Sequence, residues 1–424
     1  MLDDLSPARK LAYAVLGVFS AVALFASVGS GGDDVETQPN ATRPTTTSVT
    51  ATTLPVPKAF DRTLMSFKLP SATSRSSAVP DGKGGFYLLG GLDVRRAPTS
   101  TIVRVDPTAN TASVVGGLTQ PVQNHSAVAL GERIFLYGGG ERNALRDIQE
   151  YTGNDKATVA GQLTVGRFGH AAIVAGGRIV IVGGSDGNND QTEVLASADG
   201  VNFNVIANLP VGLRFPAVAA FNNKVYAFGG EVDGKPVDSV YSIDLANGAV
   251  TEPIKLEFPL SHSAAFVVNG GVFFAGGKTD KGLTDYIWRF DPSVSPPTFL
   301  FAGTLPRAIS DASAVTIGSR VFLAGGEAPS FVQDVVVLTP LNDDSGLLAQ
   351  LTGSTIAPGS PLVQPTVPPR AVATQVTTTT RATTTRPATT QPPPPPPTTP
   401  VTTATPATTP PPTTGGSSAT TLQP

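Results

Sequence analysis

The chain contains no cysteine and only three histidines among its 424 residues. Without cysteine it forms no disulfide, no thiolate metal site, no cysteine nucleophile and no thioether-linked cofactor. A general acid or base would more readily be a carboxylate, a tyrosine or a lysine. Charged residues make up only 14% of the chain and the formal charge is −3, so no basic field exists to bind nucleic acid. We expect neither a nucleic-acid partner nor a cofactor.

Glycine and proline are abundant, with 44 and 39 residues respectively. This composition is typical of short strands and turns joined to low-complexity segments. Two such segments, 31–59 and 354–424, are rich in Thr and Pro and lack apolar periodicity, so we predict that both are disordered. The second is either a spacer through a cell wall or a solvated tail, and the sequence leaves both interpretations open.

The N-terminal region carries an uncharged apolar run, Leu11–Val28, preceded by Arg9 and Lys10. Eighteen residues are just enough to span a bilayer, and the preceding positive charge places the rest of the chain outside. We predict a single-pass membrane anchor, with secretion after signal cleavage as the alternative. The predicted organisation is an anchor at 1–30, a linker at 31–59, a globular domain at 60–353 and a tail at 354–424.

Six near-identical segments, each an apolar strand followed by two glycines, recur in the globular domain. The first glycines are separated by 48, 45, 46, 47 and 49 residues. A fixed glycine signature at this period predicts a propeller or a solenoid. The glycine pairs are Gly90 and Gly91, Gly138 and Gly139, Gly183 and Gly184, Gly229 and Gly230, Gly276 and Gly277, and Gly325 and Gly326.

Each repeat also contains a strand of small residues before the apolar strand and two further strands after it. This order predicts a four-stranded antiparallel sheet, repeated six times. An inner strand that is apolar on both faces must be covered on both, as it is between neighbouring propeller blades. We predict that 62–68 completes the last blade beside Val335–Leu338, and that a further strand at 346–353 forms an added edge or a cover.

The repeat period, the glycine pairs and the segment "LTVGRFGHAA" at 163–172 resemble the kelch repeat. The resemblance covers about 285 to 290 residues and implies an all-β, six-bladed kelch-type propeller. Kelch blades commonly carry a tryptophan in the fourth strand, whereas Trp288 lies in a third strand here. Galactose oxidase is also a kelch propeller, but its copper site needs a tyrosine crosslinked to cysteine. We therefore do not expect that activity.

In kelch-like propellers, the loops after the glycine pairs and those between blades share one face, which usually binds the ligand. Arginine is frequent in these loops and suits carboxylates or planar polar ligands. The residues predicted to lie on this face are Arg75, Arg95, Arg142, Arg167, Arg214, Glu231, Arg307 and Asp311.

Two weak metal candidates are present, although we predict no metal site. His125 and His170 each lie 13 residues before a glycine pair, and His262 lies 14 before, which we ascribe to a hairpin one residue longer. The three are either structural histidines at one repeat position or metal ligands at the channel mouth. The loop containing Asp186, Asn188 and Asp190 resembles the start of a calcium loop but lacks its later glycine and glutamate.

Two functions from different classes remain open on the sequence. The first is a non-catalytic module at the cell envelope that binds a protein, a peptide or a glycan. The second is a carbohydrate-active enzyme, because a bacterial sialic-acid mutarotase also resembles a six-bladed kelch ring. A buried carboxylate beside an arginine at the channel mouth would favour the enzyme, and a flat solvated face would favour the binding module.

Overall fold

Each of the six glycine-pair repeats folds as one antiparallel sheet, or blade. A computed structural model describes residues 54–343. The N-terminal strand and the first three blades are β1 (Ala59–Leu64); β2 (Ser77–Pro80), β3 (Phe86–Leu89), β4 (Thr99–Asp106), β5 (Thr111–Val122); β6 (Ser126–Leu130), β7 (Arg133–Tyr137), β8 (Asp147–Tyr151), β9 (Thr158–Gln162); and β10 (Ala171–Ala175), β11 (Arg178–Val182), β12 (Glu193–Ser197), β13 (Asn204–Asn208).

The last three blades carry short additional strands in the loops that follow the glycine pairs. Their strands are β14 (Ala217–Phe221), β15 (Lys224–Phe228), β16 (Glu231–Val232), β17 (Lys235–Asp244), β18 (Val250–Leu260); β19 (Ala264–Val268), β20 (Gly271–Ala275), β21 (Lys278–Thr279), β22 (Gly282–Leu283), β23 (Tyr286–Asp291), β24 (Thr298–Thr304); and β25 (Ser313–Ile317), β26 (Arg320–Ala324), β27 (Glu327–Ala328), β28 (Ser330–Phe331), β29 (Val335–Leu341).

The predicted all-β, six-bladed propeller is confirmed. The first strands of the blades contact one another in a closed cycle, so they line the axis, and β2 meets both β6 and β25. Their small residues, such as "SAVAL" in β6, fit this crowded position. The second strands are buried along almost their whole length, as the apolar pattern predicts for strands covered on both faces.

The ring is closed by the N-terminal strand. β1 is the outermost strand of the last blade and pairs antiparallel with β29, with Leu64 opposite Val336. The predicted closure is confirmed, although the strand begins at Ala59 rather than at residue 62 and ends at Leu64. Phe60 is fully buried and packs edge-on against Phe273, with ring centroids 5.0 Å apart. The closing strand therefore also contributes to the core shared with the fifth blade.

The glycine pairs join each blade to the next. The first glycine of every pair has a φ between 54° and 66°, and the second between 96° and 112°, both in the left-handed region that other residues rarely adopt. In this conformation the N–H of the second glycine donates to a carbonyl of the segment that leads into the following blade. The six bonds, here called the glycine ring, run from Gly91 to Val122, Gly139 to Arg167, Gly184 to Leu213, Gly230 to Leu260, Gly277 to Ile309, and Gly326 to Thr73, at 2.7–2.9 Å.

Several sequence predictions concern residues that lie outside the described range. These are the membrane anchor at 11–28, most of the linker, the strand at 346–353 and the tail at 354–424. Between residues 54 and 343 there is no helix of the length and apolarity needed to cross a membrane.

We predict that adding a methyl group to the first glycine of a pair costs more than left-handed strain alone. A Cβ at Gly229 would lie 1.9 Å from the Leu260 carbonyl oxygen, whereas at Gly318, whose φ of 60° is similar, it would meet open space. Gly318→Ala should cost about 1–2 kcal/mol from strain, and Gly229→Ala about 3 kcal/mol or more because the Leu260 backbone, which leads into the next blade, must also move away. Urea unfolding measures both, and equal losses would contradict the interblade role.

Candidate functional site

Six residues at equivalent repeat positions surround the axis at one end of the propeller. Each stands two residues before the first strand of its blade, and all six have a φ between 51° and 63°. We call this set the mouth ring; its members are Arg75, Asn124, Gly169, Phe215, His262 and Asp311. Asparagine, aspartate and histidine are enriched in left-handed backbone, but arginine and phenylalanine are not. Strain of this kind is commonly retained at functional sites.

Backbone hydrogen bonds connect the mouth ring from blade to blade. The N–H of each member donates to the carbonyl of the equivalent residue in the preceding blade, which explains the shared left-handed conformation. Five of the six possible bonds form: Gly169 to Asn124 at 2.8 Å, Phe215 to Gly169 at 2.6 Å, His262 to Phe215 at 3.2 Å, Asp311 to His262 at 3.0 Å, and Arg75 to Asp311 at 3.3 Å.

The mouth ring encloses a cavity of about 160 Å³. The cavity is also lined by the residue after each member, namely Ser76, His125, His170, Pro216, Ser263 and Ala312. One wall is aromatic, because the Phe215 ring stacks on His262 with centroids 4.1 Å apart. A Cβ at Gly169 would lie 2.8 Å from the Phe215 ring, so this glycine makes room for the wall.

A partly buried histidine links two carboxylates at the mouth. The Nδ1 of His262 lies 2.6 Å from Asp311 Oδ1, and its Nε2 lies 3.2 Å from Glu231 Oε1. Burial opposes protonation of His262, but the two carboxylates outweigh it and raise the pKa to about 9. Burial likewise works to raise the pKa of each carboxyl, and the imidazolium overcomes it, so both pKa values are lowered. All three groups are therefore charged at neutral pH.

Two arginines extend this arrangement on both sides. Arg75 Nε lies 3.3 Å from Glu327 and 3.9 Å from Asp311. On the other side Arg214 Nη2 lies 3.9 Å from Glu231, and its Nε lies 3.2 Å from Asp190. The result is a line of alternating charges across five blades, here called the mouth network. A buried carboxylate beside an arginine at the channel mouth, here Glu231 beside Arg214, is the observation that would favour the enzyme.

His262 does not share the repeat position of His125 and His170, and that prediction is wrong. Ala171 pairs with Val182 and Ala264 pairs with Ala275, so the two hairpins have equal length. His170 therefore lies one residue before its strand, and His262 lies two before. The inserted residue that we expected in the hairpin stands instead before the strand, which places His262 in the mouth ring.

His125 and His170 are buried neutral histidines. None of their ring nitrogens makes a hydrogen bond within the described residues, although the Leu89 carbonyl is near enough to His125 to favour protonation slightly. Burial lowers the pKa of His125 to about 4, and burial together with Arg167 and His125 lowers that of His170 to about 3. The part of the chain that the structure describes holds no cluster of three or more metal-ligating side chains.

The remaining predicted arginines lie away from the cavity. Arg95 and Arg142 are exposed, and Arg307 forms an ion pair with Asp334. Arg167 is only 1% exposed, and its guanidinium donates to the Gly183 carbonyl at 3.0 Å and to Glu193 at 3.2 Å. It lies inside the protein, not on the ligand face.

The calcium-like loop is closed by its own backbone. Asp186 accepts hydrogen bonds from the N–H groups of Asn188 and Asn189, both at 2.7 Å. These bonds lower the pKa of Asp186. Asp190 turns toward Arg214 instead, so the three candidate ligands do not converge.

Sequence reasoning missed Asn124, Gly169 and Phe215. The available signal was the spacing of 49, 45, 46, 47 and 49 residues from Arg75 to Asp311, which follows the glycine period. Aligning His262 with His125 shifted one blade by a residue and hid this position.

Comparisons with known proteins agree with the propeller fold described above. A family model described as the KLHDC2/KLHL20/DRC7 Kelch-repeats domain matches residues 147–326. The solved structure of YjhT superposes with a TM-score of 0.54 at 15% identity, covering 64% of this chain and 96% of that one. At this identity the similarity concerns the fold alone. No curated protein sequence matches. The predicted resemblance to the kelch repeat is thus confirmed over residues 147–326, and the propeller fold over the described residues.

Because the pKa of His262 is raised, we predict that the protein loses part of its free energy of unfolding as the pH rises. The contribution of His262 is fully present below the unfolded pKa of 6.5 and disappears as the pH rises through about 9. That shift corresponds to at most about 3 kcal/mol. The cost of His262→Gln should therefore be largest near pH 6 and shrink by up to that amount above pH 9. Urea unfolding across the pH range checks this, and a cost independent of pH would contradict it.

The lowered pKa values of His125 and His170 predict the opposite dependence. The unfolded chain takes up protons from pH 6.5 downward before the folded chain does, so acid favours unfolding. At pH 5 the loss is about 2 kcal/mol for each histidine. A doubly substituted H125Q/H170Q chain should lose less stability between pH 7 and pH 5 than the unsubstituted chain. Identical acid losses would show that these side chains are not held neutral.

Proposed function

We propose that this kelch-repeat propeller is a binding module that takes its ligand at the mouth ring. The observation that carries the proposal is the cavity of about 160 Å³ enclosed by Arg75, Phe215, His262 and Asp311. It combines an aromatic wall with a few convergent polar groups, which is the usual composition of a ligand site. Its volume suits one side chain or one sugar ring.

The mouth network holds this site in a fixed geometry. His262 contacts a carboxylate at each ring nitrogen and an aromatic ring on one face, so its orientation is set before a ligand arrives. Preorganisation of this kind reduces the entropic cost of binding. A rigid, polar-rimmed cavity at the axis therefore supports recognition of a single protruding group.

The protonation states support binding over acid–base catalysis. An efficient general acid or base has a pKa near the operating pH. His262 has a pKa of about 9, and the pKa values of Glu231 and Asp311 are lowered. None of these three groups exchanges a proton readily at neutral pH.

A second candidate function is a carbohydrate-active enzyme of the same fold. The specific observation in its favour is the pairing of the partly buried Asp311 with Arg75 and of the buried Glu231 with Arg214. Turnover of a sugar by the full chain, lost on Asp311→Asn, would favour this candidate. Binding without turnover would favour the first.

The proposed setting is the cell envelope. It is supported by the apolar segment Leu11–Val28 and by the Thr/Pro-rich segments on both sides of the propeller. Kelch propellers generally mediate protein interactions. The ligand would therefore be a protein, a peptide or an envelope glycan that presents one group to the mouth, with the chain held at the membrane or secreted.

We predict that Phe215→Gly weakens ligand binding at least tenfold without unfolding the protein. Glycine tolerates the φ of 51° and already occupies the equivalent position at Gly169, while the aromatic wall is lost. The full chain is screened by thermal shift against monosaccharides, sialic acid, envelope glycan fragments and peptides. A ligand at about 100 times its Kd should add about 2.7 kcal/mol of stability.

The control is Arg320→Ala, at the hairpin end of β26 and therefore at the other end of the propeller. It should leave the affinity unchanged. A ligand whose affinity falls with Arg320→Ala and not with Phe215→Gly would contradict binding at the mouth ring.

A further inference from the structure

One link of the mouth ring is open. The missing sixth bond would join the N–H of Asn124 in the second blade to the carbonyl of Arg75 in the first. Among residues 54–343, that N–H has no acceptor and that carbonyl has no donor. Every other N–H and carbonyl of the six ring positions that faces a neighbouring blade is bonded.

The opening is local to the mouth ring and does not reflect a gap between the two blades. The segment that leads into the second blade is held at the same seam, since Gly91 N–H donates to the Val122 carbonyl at 2.8 Å and Ser77 Oγ in β2 donates to the His125 carbonyl at 3.2 Å. The second blade differs from the others in having three consecutive glycines, and the Asn124 side chain donates to the carbonyl of the third, Gly140, at 3.0 Å. The asparagine is thus held by its side chain, which leaves its backbone N–H free.

The two free backbone groups define the chemistry of a ligand. One is a donor and the other an acceptor, and both Arg75 and Asn124 line the cavity. A hydroxyl group can accept from the first and donate to the second at once. A carboxylate can only accept, so it would leave the Arg75 carbonyl unsatisfied, which is costly in a partly buried site.

The charges of the mouth network also favour a neutral ligand. At neutral pH the network has three cations, Arg75, Arg214 and His262, and four carboxylates, Asp190, Glu231, Asp311 and Glu327. The arginines that suggest an anionic ligand in the sequence are each already paired with two carboxylates. The network therefore offers no surplus positive charge to an anion.

We infer that the open link is the docking point for one hydroxyl group of a neutral sugar, with the sugar ring in the cavity against Phe215. The hydroxyl accepts from Asn124 N–H and donates to the Arg75 carbonyl, completing the sixth link of the mouth ring. This inference rests on the proposed function and narrows it to a class of ligand and a point of attachment.

Selective labelling tests the link directly. The full chain is prepared with 15N-asparagine, and the Asn124 amide signal is assigned by its absence from the Asn124→Gly variant. Glucose, galactose and N-acetylglucosamine are the neutral probes, and acetate and sialic acid are the anionic ones. At least one neutral sugar should shift the Asn124 signal saturably, while the amides of Asn222, Asn223 and Asn269, in hairpins at the other end of the propeller, stay unchanged.

Hydrogen exchange of the same amide gives a second measurement. Asn124 should exchange rapidly in the free protein, in contrast to the bonded ring member Gly169, and at least tenfold more slowly with the bound sugar. Protection of Asn124 in the free protein would overturn the inference, because the link would then already be closed.

The outcomes separate this inference from the proposed function. A shift caused only by the anionic probes, or a mouth ligand sensitive to Phe215→Gly that leaves the Asn124 amide unchanged, overturns the hydroxyl link and leaves the binding module intact. Failure of every probe and every screened ligand to bind at the mouth overturns both.

Discussion

The structure depends on one repeated hydrogen bond, from the second glycine of each pair to a carbonyl of the segment that leads into the next blade. Because this bond forms six times without exception, it fixes the distance between neighbouring blades. It also fixes the point at which each connecting segment turns into the first strand at the axis. A side chain at either glycine would collide with the neighbouring backbone, as at Gly229. Apolar packing between blades supplies most of the stability, but packing alone would allow the sheets to slide.

The mouth ring follows from this constraint. Once the carbonyl four residues before the first strand of a blade is held by the preceding glycine, the next few residues must turn sharply into that strand, and a left-handed residue makes the turn. The six turns meet around the axis and place six side chains at one opening. Because backbone bonds hold the mouth-ring residues in place, their side chains can differ. The ring therefore combines a glycine with a phenylalanine, an arginine and a histidine, and the larger members carry backbone strain.

The repeat could be predicted from the sequence because its cause is local. The glycine pairs, the apolar second strands and the closure by β1 all follow from turn chemistry and from the need to cover both faces of a strand. The site could not be predicted in the same way. A single residue of misalignment moved His262 to the wrong position, and Arg167, expected on the surface, is buried beside Glu193. The pairing of charges across blades depends on the direction of each side chain, and the repeat period gives no information about that direction.

Ion pairing in the folded chain changes the kind of ligand that the arginines favour. Read from the sequence, a face rich in arginine suits an anion. In the folded chain Arg75 and Arg214 each lie between two carboxylates, so an incoming anion must displace an existing partner and leave a carboxylate uncompensated, which is expensive in a partly buried site. A neutral ligand keeps every pair and uses groups that are still free. The second blade, which has the third glycine, supplies one of these free groups, the Asn124 N–H. The preference that we infer for a neutral ligand therefore originates in the least regular repeat.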